Sequence, residues 1–376
     1  MSMRILLVGN YPADQQKSMI AFAKMMERCL IDEGYYVKIV NPTSLLLPKN
    51  VRPYGFWKWI AYIDKFLFFP LILRWQVRNF DLVHICDHSN AIYTLFLKNM
   101  STVVTCHDVL AIEAARDLIP GWRVRAMGKV FQRLIFLGLN RAAAVVCVSE
   151  YTKLHLKNLG WSGRNVSVAL NALNADFYPA DRIAVEEAVK QVGFQVDEKY
   201  FVHVGSDLSR KNRIFVLKIF NLIKSRFPDS NFKLLFIGPP FSMEMKDILI
   251  NNNLNNFVFA IQNATHTMLR SLYSGAVGLI FPSLQEGFGW PIIEAQACGC
   301  PVFTSNILPM TEVGGNGAIY IDPVNENIAV DRIIESLNDL GSIRKRGFEN
   351  IKRFSKSNLV QKYLTAYISA TESNKC

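Results

Sequence analysis

Residues 277–304 read VGLIFPSLQEGFGWPIIEAQACGCPVFT, and the reading of this stretch decides the fold. Val277 to Phe281 is a short apolar run of the length that a buried parallel strand shows. A loop follows that carries Glu286, Gly287, Phe288 and Gly289. Pro291 then stands where proline is favoured, at the first helical position, and Gly299 stands where a helix stops. The apolar run from Val302 to Thr304 supplies another strand. Glu286 on the loop and Glu294 in the expected first turn of the helix lie eight positions apart. They flank a helix N-terminus, whose N–H groups favour an anion. The pattern describes a pocket for a phosphorylated ligand with hydroxyls to hold. On spacing alone, both glutamates also read as ordinary acids at a helix start, stabilised by the macrodipole.

Outward from this stretch the second half of the chain alternates strands and helices. Strands are expected near Tyr200–Gly205, Lys233–Ile237, Phe257–Ile261 and Ala318–Ile321, and such alternation means a parallel sheet covered on both faces. The strand ending at Gly205 leads into SDLSRKNR, where Arg210, Lys211 and Arg213 crowd a helix start. Cations there are disfavoured by up to about 1 kcal/mol each, a penalty that an anionic ligand reverses. Two helical stretches, around Glu326–Leu340 and Ser342–Thr371, close the chain.

The first half has the same rhythm. Strands are expected at Met3–Gly9, Tyr36–Asn41, Asp81–Cys86, Ser101–Thr105 and Ala143–Ser149, with a helix from about Ser18 to Glu33. Ligands of open α/β sheets gather at the carboxyl ends of strands, where this chain has DHSN at 87–90 and His107-Asp108. The loop after the first strand, Gly9-Asn10-Tyr11-Pro12, lacks a G-x-G-x-x-G fingerprint. Turn-forming residues at Asn171 to Pro179 mark a hinge.

The chain of 376 residues is half apolar, enough for about two domains with a core each. Its net charge of +11 is uneven: residues 1–179 carry 21 Lys+Arg against 12 Asp+Glu (+9), and residues 180–376 carry 21 against 19 (+2). No recognised nucleic-acid motif accompanies the charge, so nucleic acid is not an expected partner. The seven cysteines are scattered and odd in number, which argues for reduced thiols and a cytoplasmic setting. Cys298 and Cys300 read as packing residues. The opening MSMRILLVG lacks the apolar core of a signal peptide. Residues 54–78, YGFWKWIAYIDKFLFFPLILRWQVR, combine three tryptophans with Lys58, Lys65, Arg74 and Arg78. The uncharged part is too short to span a bilayer and Pro70 interrupts it. Either this segment lies in a membrane interface, with peripheral contact at the inner face of the plasma membrane, or its aromatics pack on the sheet or line an acceptor site. Gly121–Asn140 reads as a basic amphipathic helix bearing Arg123, Arg125, Lys129 and Arg133.

Glu286 and Glu294, with GFGWP between them and EAQACGCPV from Glu294 onward, resemble the E-x7-E motif of the family 4 glycosyltransferases. Thr105-Cys106-His107-Asp108 resembles the family's T-x-H-D segment, and Arg210-Lys211-Asn212 its donor-phosphate site. The likeness extends over nearly the whole chain, closely in the second half and loosely in the first. It implies an α/β protein of GT-B fold, two Rossmann-like doubly wound parallel-sheet domains facing across a cleft. Residues 1–178 would form the acceptor-binding domain, residues 179–356 the nucleotide-sugar domain, and a final helix at about 357–376 would cross back to the first.

Carried over by position, the resemblance implies roles for single residues. Glu286 would touch the donor sugar's hydroxyls together with Gly287, Phe288 and Gly289, the last two through backbone N–H groups. Glu294 would grip the ribose, and Arg210 and Lys211 the diphosphate. His107 would face the transferred sugar, and Gly9, Asn10 and Tyr11 would form the acceptor-side loop. The expected reaction is retaining, needs no metal or other cofactor, and moves a hexose to a saccharide or lipid-linked saccharide. The donor expected first is UDP-glucose and second GDP-mannose. The rival reading is a non-catalytic nucleotide-sugar-binding scaffold.

Overall fold

The computed structural model describes residues 3–48, 51 and 53–372. The chain forms two compact units, one of Met1–Asn174 with Lys356–Cys376 and one of Ala175–Ser355. Each is built on a six-stranded parallel sheet.

In unit 1 the strands are β1 (Arg4–Val8), β2 (Tyr36–Val40), β3 (Leu82–Ile85), β4 (Ser101–Cys106), β5 (Ala144–Cys147) and β6 (Val166–Val168), in spatial order β2-β1-β3-β4-β5-β6. Runs such as Ile5-Leu6-Leu7-Val8 and Val145-Val146 are apolar at successive positions because both sheet faces are covered. The sheet packs against Phe69, Leu73, Ile135 and Leu139 in one core, and each such side chain contributes about 1.5–3 kcal/mol by its burial. Strand β6 was not expected. It is a three-residue edge strand, half-buried, and too short for its pattern to stand out in the sequence.

The segment 54–78 forms one helical run: Phe56–Ile63, a wide π turn at Asp64–Phe68, then Phe69–Gln76. Pro70 does not break it. Phe69 N–H reaches back five residues to the Asp64 carbonyl, so the run is already wide where proline, lacking an N–H, enters the next turn. The expected helix at Gly121–Asn140 begins only at Ala126 and ends at Arg141. Gly121 at φ +77 and an extended Arg125 keep the preceding residues in a loop.

Unit 2 contains β7 (Tyr200–Val204), β8 (Lys233–Ile237), β9 (Val258–Ile261), β10 (Gly278–Phe281), β11 (Val302–Ser305) and β12 (Ala318–Ile321), in order β12-β11-β10-β7-β8-β9. The expected helical stretch 342–371 is two helices, Leu340–Ile351 and Lys356–Glu372, separated by a 3-10 turn and an extended Ser355. The last four residues, 373–376, lie outside the described residues. The final helix packs in unit 1, where Tyr363 Oη is 2.8 Å from Thr105 Oγ1 and Tyr367 Oη is 2.7 Å from His84 Nδ1. His84 Nε2 meets the same Thr105 hydroxyl at 2.7 Å. Burial, aided by His107, holds the His84 imidazole down at about 3, so it is neutral at pH 7.

Both sheets reverse their winding direction once, between β1 and β3 in unit 1 and between β7 and β10 in unit 2. The crevice outside the strand ends at such a switch point is where doubly wound sheets bind ligands.

Candidate active site

At the switch point of unit 2, two loops are stitched together. After β7 comes a 3-10 turn, Ser209–Lys211, ended by Asn212 in the left-handed region at φ 58. Asparagine tolerates that conformation, and its side chain donates to the Pro282 and Pro323 carbonyls at 3.1 and 2.8 Å. From the loop after β10, Leu284 N–H donates to the Arg210 carbonyl at 2.7 Å, while Arg210 Nη1 donates to the Gln285 carbonyl at 2.8 Å.

This stitching brings Arg210, Lys211 and Glu286 together. Arg210 Nη1 lies 2.8 Å and Lys211 Nζ 2.5 Å from the two oxygens of the buried Glu286 carboxylate. Burial alone would push that carboxyl up, but Lys211 and then Arg210 outweigh it and hold it below its ordinary range. Burial pulls the Lys211 ammonium down, against the opposing pull of Glu286. The third cation of the sequence cluster turns elsewhere, since Arg213 donates to the Pro239 and Pro240 carbonyls at 2.8 and 3.3 Å.

The helix that follows runs Trp290–Ala297, so Pro291 is its second residue and Glu294 its fifth. The expected place of Glu294 in the first turn is therefore corrected: Gly289, at φ 102, turns the chain into the helix before the proline. Glu294 is buried in the second turn, where its carboxylate accepts from Tyr273 Oη at 3.3 Å. Burial raises its carboxyl to about 7, against smaller opposing effects of Tyr273 and Lys211. The Phe288 side chain is buried in edge contacts with Trp290 and Phe354. Gly287 lies between Glu286 and Phe288 on the same loop.

The switch point of unit 1 gathers the ends of β1, β3 and β4. Gly9 N–H donates to the Val40 carbonyl at 2.9 Å, and a Cβ built on Gly9 would stand 2.2 Å from Asn41 Oδ1. Asn10 is buried, bonded through Nδ2 to Gln16 and, at 2.5 Å, to Asp87 Oδ2. Tyr11 is fully buried, with its hydroxyl 2.8 Å from Ser44 Oγ, so its side chain pins the loop in place. Asp87 also accepts from Ser89 N–H at 2.9 Å and lies 3.4 Å from His88. Burial disfavours its charge, yet His88, His107 and Asn10 together hold the carboxyl below its ordinary value.

His107 is buried with Nε2 2.9 Å from the Cys86 carbonyl, which fixes Nε2 as the protonated nitrogen when the ring is neutral. The edge of its ring meets Phe22 at 4.9 Å between centroids. Burial is the largest influence on its imidazole and lowers its pKa. Asp87 is the residue at the centre of this cluster, and the sequence signalled it only as part of the polar DHSN run. Tyr273, against Glu294, carried no signal at all. The described cysteines, Cys298 and Cys300 among them, are buried and unpaired. Among the described residues, no group of three or more His, Cys, Asp or Glu side chains could hold a metal ion.

Comparison with known proteins bears on the family and the fold. The family described as "Glycosyl transferases group 1" matches residues 184–354, and "Glycosyltransferase Family 4" matches residues 22–177. The chain is 28% identical to an O-antigen chain mannosyltransferase of Salmonella typhimurium over 329 residues, 84% of this chain and 81% of that one. It is 26% identical to O-antigen chain mannosyltransferase B of Escherichia coli over 280 residues, 70% and 69% of the two chains. Among solved structures, sucrose-phosphate synthase from Thermosynechococcus elongatus superposes with a TM-score of 0.73 at 17% identity, covering 96% of this chain and 97% of that one. Anabaena HepE in complex with UDP and glucose superposes with a TM-score of 0.73 at 14% identity, covering 96% and 98%.

Proposed function

We propose that this chain, which belongs to the family 4 glycosyltransferases and has their GT-B fold, transfers a mannosyl group from GDP-mannose to a saccharide or lipid-linked saccharide acceptor in surface polysaccharide or glycolipid synthesis. The observation that carries this reading is the trio Arg210–Glu286–Lys211 beside Glu294 at the switch point of unit 2. Two cations against one ionised carboxylate leave a net positive crevice, which suits a diphosphate. As the bond to the sugar breaks, the departing nucleoside diphosphate gains negative charge. Arg210 and Lys211, held in place beforehand, stabilise that charge without reorganising.

Glu286 has two parts in this account. Without donor its carboxylate neutralises and aims the two cations. With donor bound, the diphosphate takes over part of that pairing and frees carboxylate oxygens for sugar hydroxyls, with the backbone of Phe288 and Gly289 nearby. Glu294, protonated below about pH 7 and ionised above it, holds the ribose hydroxyls as hydrogen-bond partner. We assign the unit 1 cluster of Asn10, Asp87 and neutral His107 to the sugar and acceptor hydroxyls. Retention of anomeric configuration belongs to the same reading, with attack from the face that the leaving group vacates. Buried, unpaired thiols suit a reducing compartment, and we place the reaction in the cytoplasm.

Two relatives that each cover more than two thirds of the chain are mannosyltransferases, which moves mannose ahead of the glucose expected from the sequence. UDP-glucose is the competing donor. The deciding experiment is a panel of GDP-, UDP- and ADP-sugars, with thermal shift and released nucleotide measured in parallel. The reading predicts a shift and slow hydrolysis with GDP-mannose, both lost in Lys211→Ala and Glu294→Ala. The same result with UDP-glucose alone reassigns the donor. A shift with no turnover, even with saccharide acceptors added, makes the chain a nucleotide-sugar-binding scaffold.

A further inference from the structure

The helical run 56–76 is buried on one side only. Ala61, Phe69 and Leu73 point into the protein, and Phe66 meets Tyr93 and Phe131. The other side carries Trp59, Ile63, Leu67, Leu71 and Trp75, each four residues from the next. Their exposures are 52%, 40%, 58%, 64% and 69%. A four-residue spacing drifts about 40° per step around an ideal helix. The π turn at Asp64–Phe68 is wider than an α turn and takes back part of that drift, so the five side chains form one stripe about 24 Å long.

The charges around the stripe have one sign. Lys58, Arg74 and Arg78 are exposed, whereas Asp64, the acid of this run, is buried and accepts from the Leu46 and Leu47 N–H groups. Lys65 is occupied by Asp14 at 2.6 Å. A second element meets the start of the stripe: Trp122, Arg123 and Arg125 share a groove of about 720 Å³ with Tyr54, Lys58 and Trp59.

We propose that this face docks the protein on an anionic lipid bilayer, the stripe lying in the plane of the interface and the five cations Lys58, Arg74, Arg78, Arg123 and Arg125 against the headgroups. Exposed tryptophans at both ends, an apolar stripe between them and cations alongside are the composition that partitions into headgroup regions. Among the described residues, no helix is long and apolar enough to cross a membrane, so the contact is along the surface. A second copy of the chain is a poorer occupant. A twofold contact through this face would set its cations against their own copies. The inference does not depend on which sugar is transferred.

The test uses the purified full chain and vesicles of either phosphatidylcholine or phosphatidylglycerol, read by co-sedimentation and tryptophan emission. The expected result is binding to phosphatidylglycerol with a blue shift, weakened by high salt and by phosphatidylcholine. The combined variant Trp59→Ser, Leu67→Gln, Leu71→Gln, Trp75→Ser should bind at least about tenfold less. Its nucleotide-sugar thermal shift should match that of the unaltered protein, which also shows that it folds. The separate variant Lys58→Glu, Arg74→Glu, Arg78→Glu should lose the preference for phosphatidylglycerol. Equal binding by variants and parent, or no vesicle binding at all, overturns the proposal. So does a parent dimer in light scattering that the first variant dissolves, which would make the face a protein interface.

Discussion

At the β7/β10 switch point two cations converge on one buried carboxylate, whereas at the β1/β3 switch point a buried carboxylate is held by an amide and imidazoles. The backbone arrangement is the same in both: parallel strands whose winding reverses, with loops splayed at the carboxyl ends. The side chains at the strand ends make the difference. Arg210 and Lys211 are cationic side chains aimed by Glu286, and they suit an anion. Asn10, Asp87 and His107 can each exchange hydrogen bonds with hydroxyls, and Asp87 is already compensated by its neighbours. One topology thus supplies two crevices, and strand-end chemistry divides the labour between them.

That division can be broken by experiment, most severely in unit 2. Lys211→Ala should lower turnover by about 10²–10³-fold, the usual cost of removing one preorganised donor to a developing charge. Nucleotide-induced thermal stabilisation should vanish with it. If turnover falls while the nucleotide shift survives, the phosphate role of Lys211 is wrong.

Glu294→Gln should separate binding from stability. A carboxyl raised by burial from 4.5 to about 7 costs roughly 3 kcal/mol once it is ionised in the folded protein. Its folded pKa exceeds its unfolded one, so its favourable contribution is complete below about 4.5 and is lost as pH rises through about 7. Urea unfolding at pH 8 should therefore show the variant more stable than the parent, with the difference fading towards pH 4.5. Nucleotide-sugar KM should rise in the same variant. A variant less stable than the parent at pH 8 would mean that Glu294 is not a strained, buried acid.

In unit 1 the effect should be smaller and differently placed. Asp87→Asn removes the charge that Asn10, Ser89 and His88 surround. We expect kcat to fall by about 10- to 100-fold, as for a misplaced positioning group, with the nucleotide thermal shift intact. Loss of that shift would erase the distinction between the two crevices. Smallest of all, Tyr367→Phe leaves His84 Nδ1 without its hydroxyl partner and should cost about 1 kcal/mol in urea unfolding. No change in nucleotide-sugar KM is expected, and a change would tie the final helix to the site.

Much of the architecture was legible because parallel strands buried on both faces are continuous apolar runs, and eleven of the twelve strands among the described residues were expected where they occur. The one that escaped, Val166–Val168, has only three residues at a sheet edge. Helix limits were less legible. Arg125 and Ser355 are extended for reasons of local backbone, and neither is a glycine or proline that would announce a break.

Within the site, Glu286, Glu294, Arg210 and Lys211 could be named from the chain because their motifs are local. By itself the sequence determined that two anion-seeking loops follow apolar strands, since strand, loop and helix start are written within a few residues of one another. Only the tertiary structure decided that Arg210 and Lys211 share Glu286, that Tyr273 meets Glu294, and that Asn10 meets Asp87. The first and last of these contacts join residues 75–77 positions apart, and Tyr273 reaches Glu294 across 21. Such pairs form when a sheet reverses its winding and sets strand ends side by side. No pattern along the chain encodes that distance, because it is fixed by the order in which strands pack.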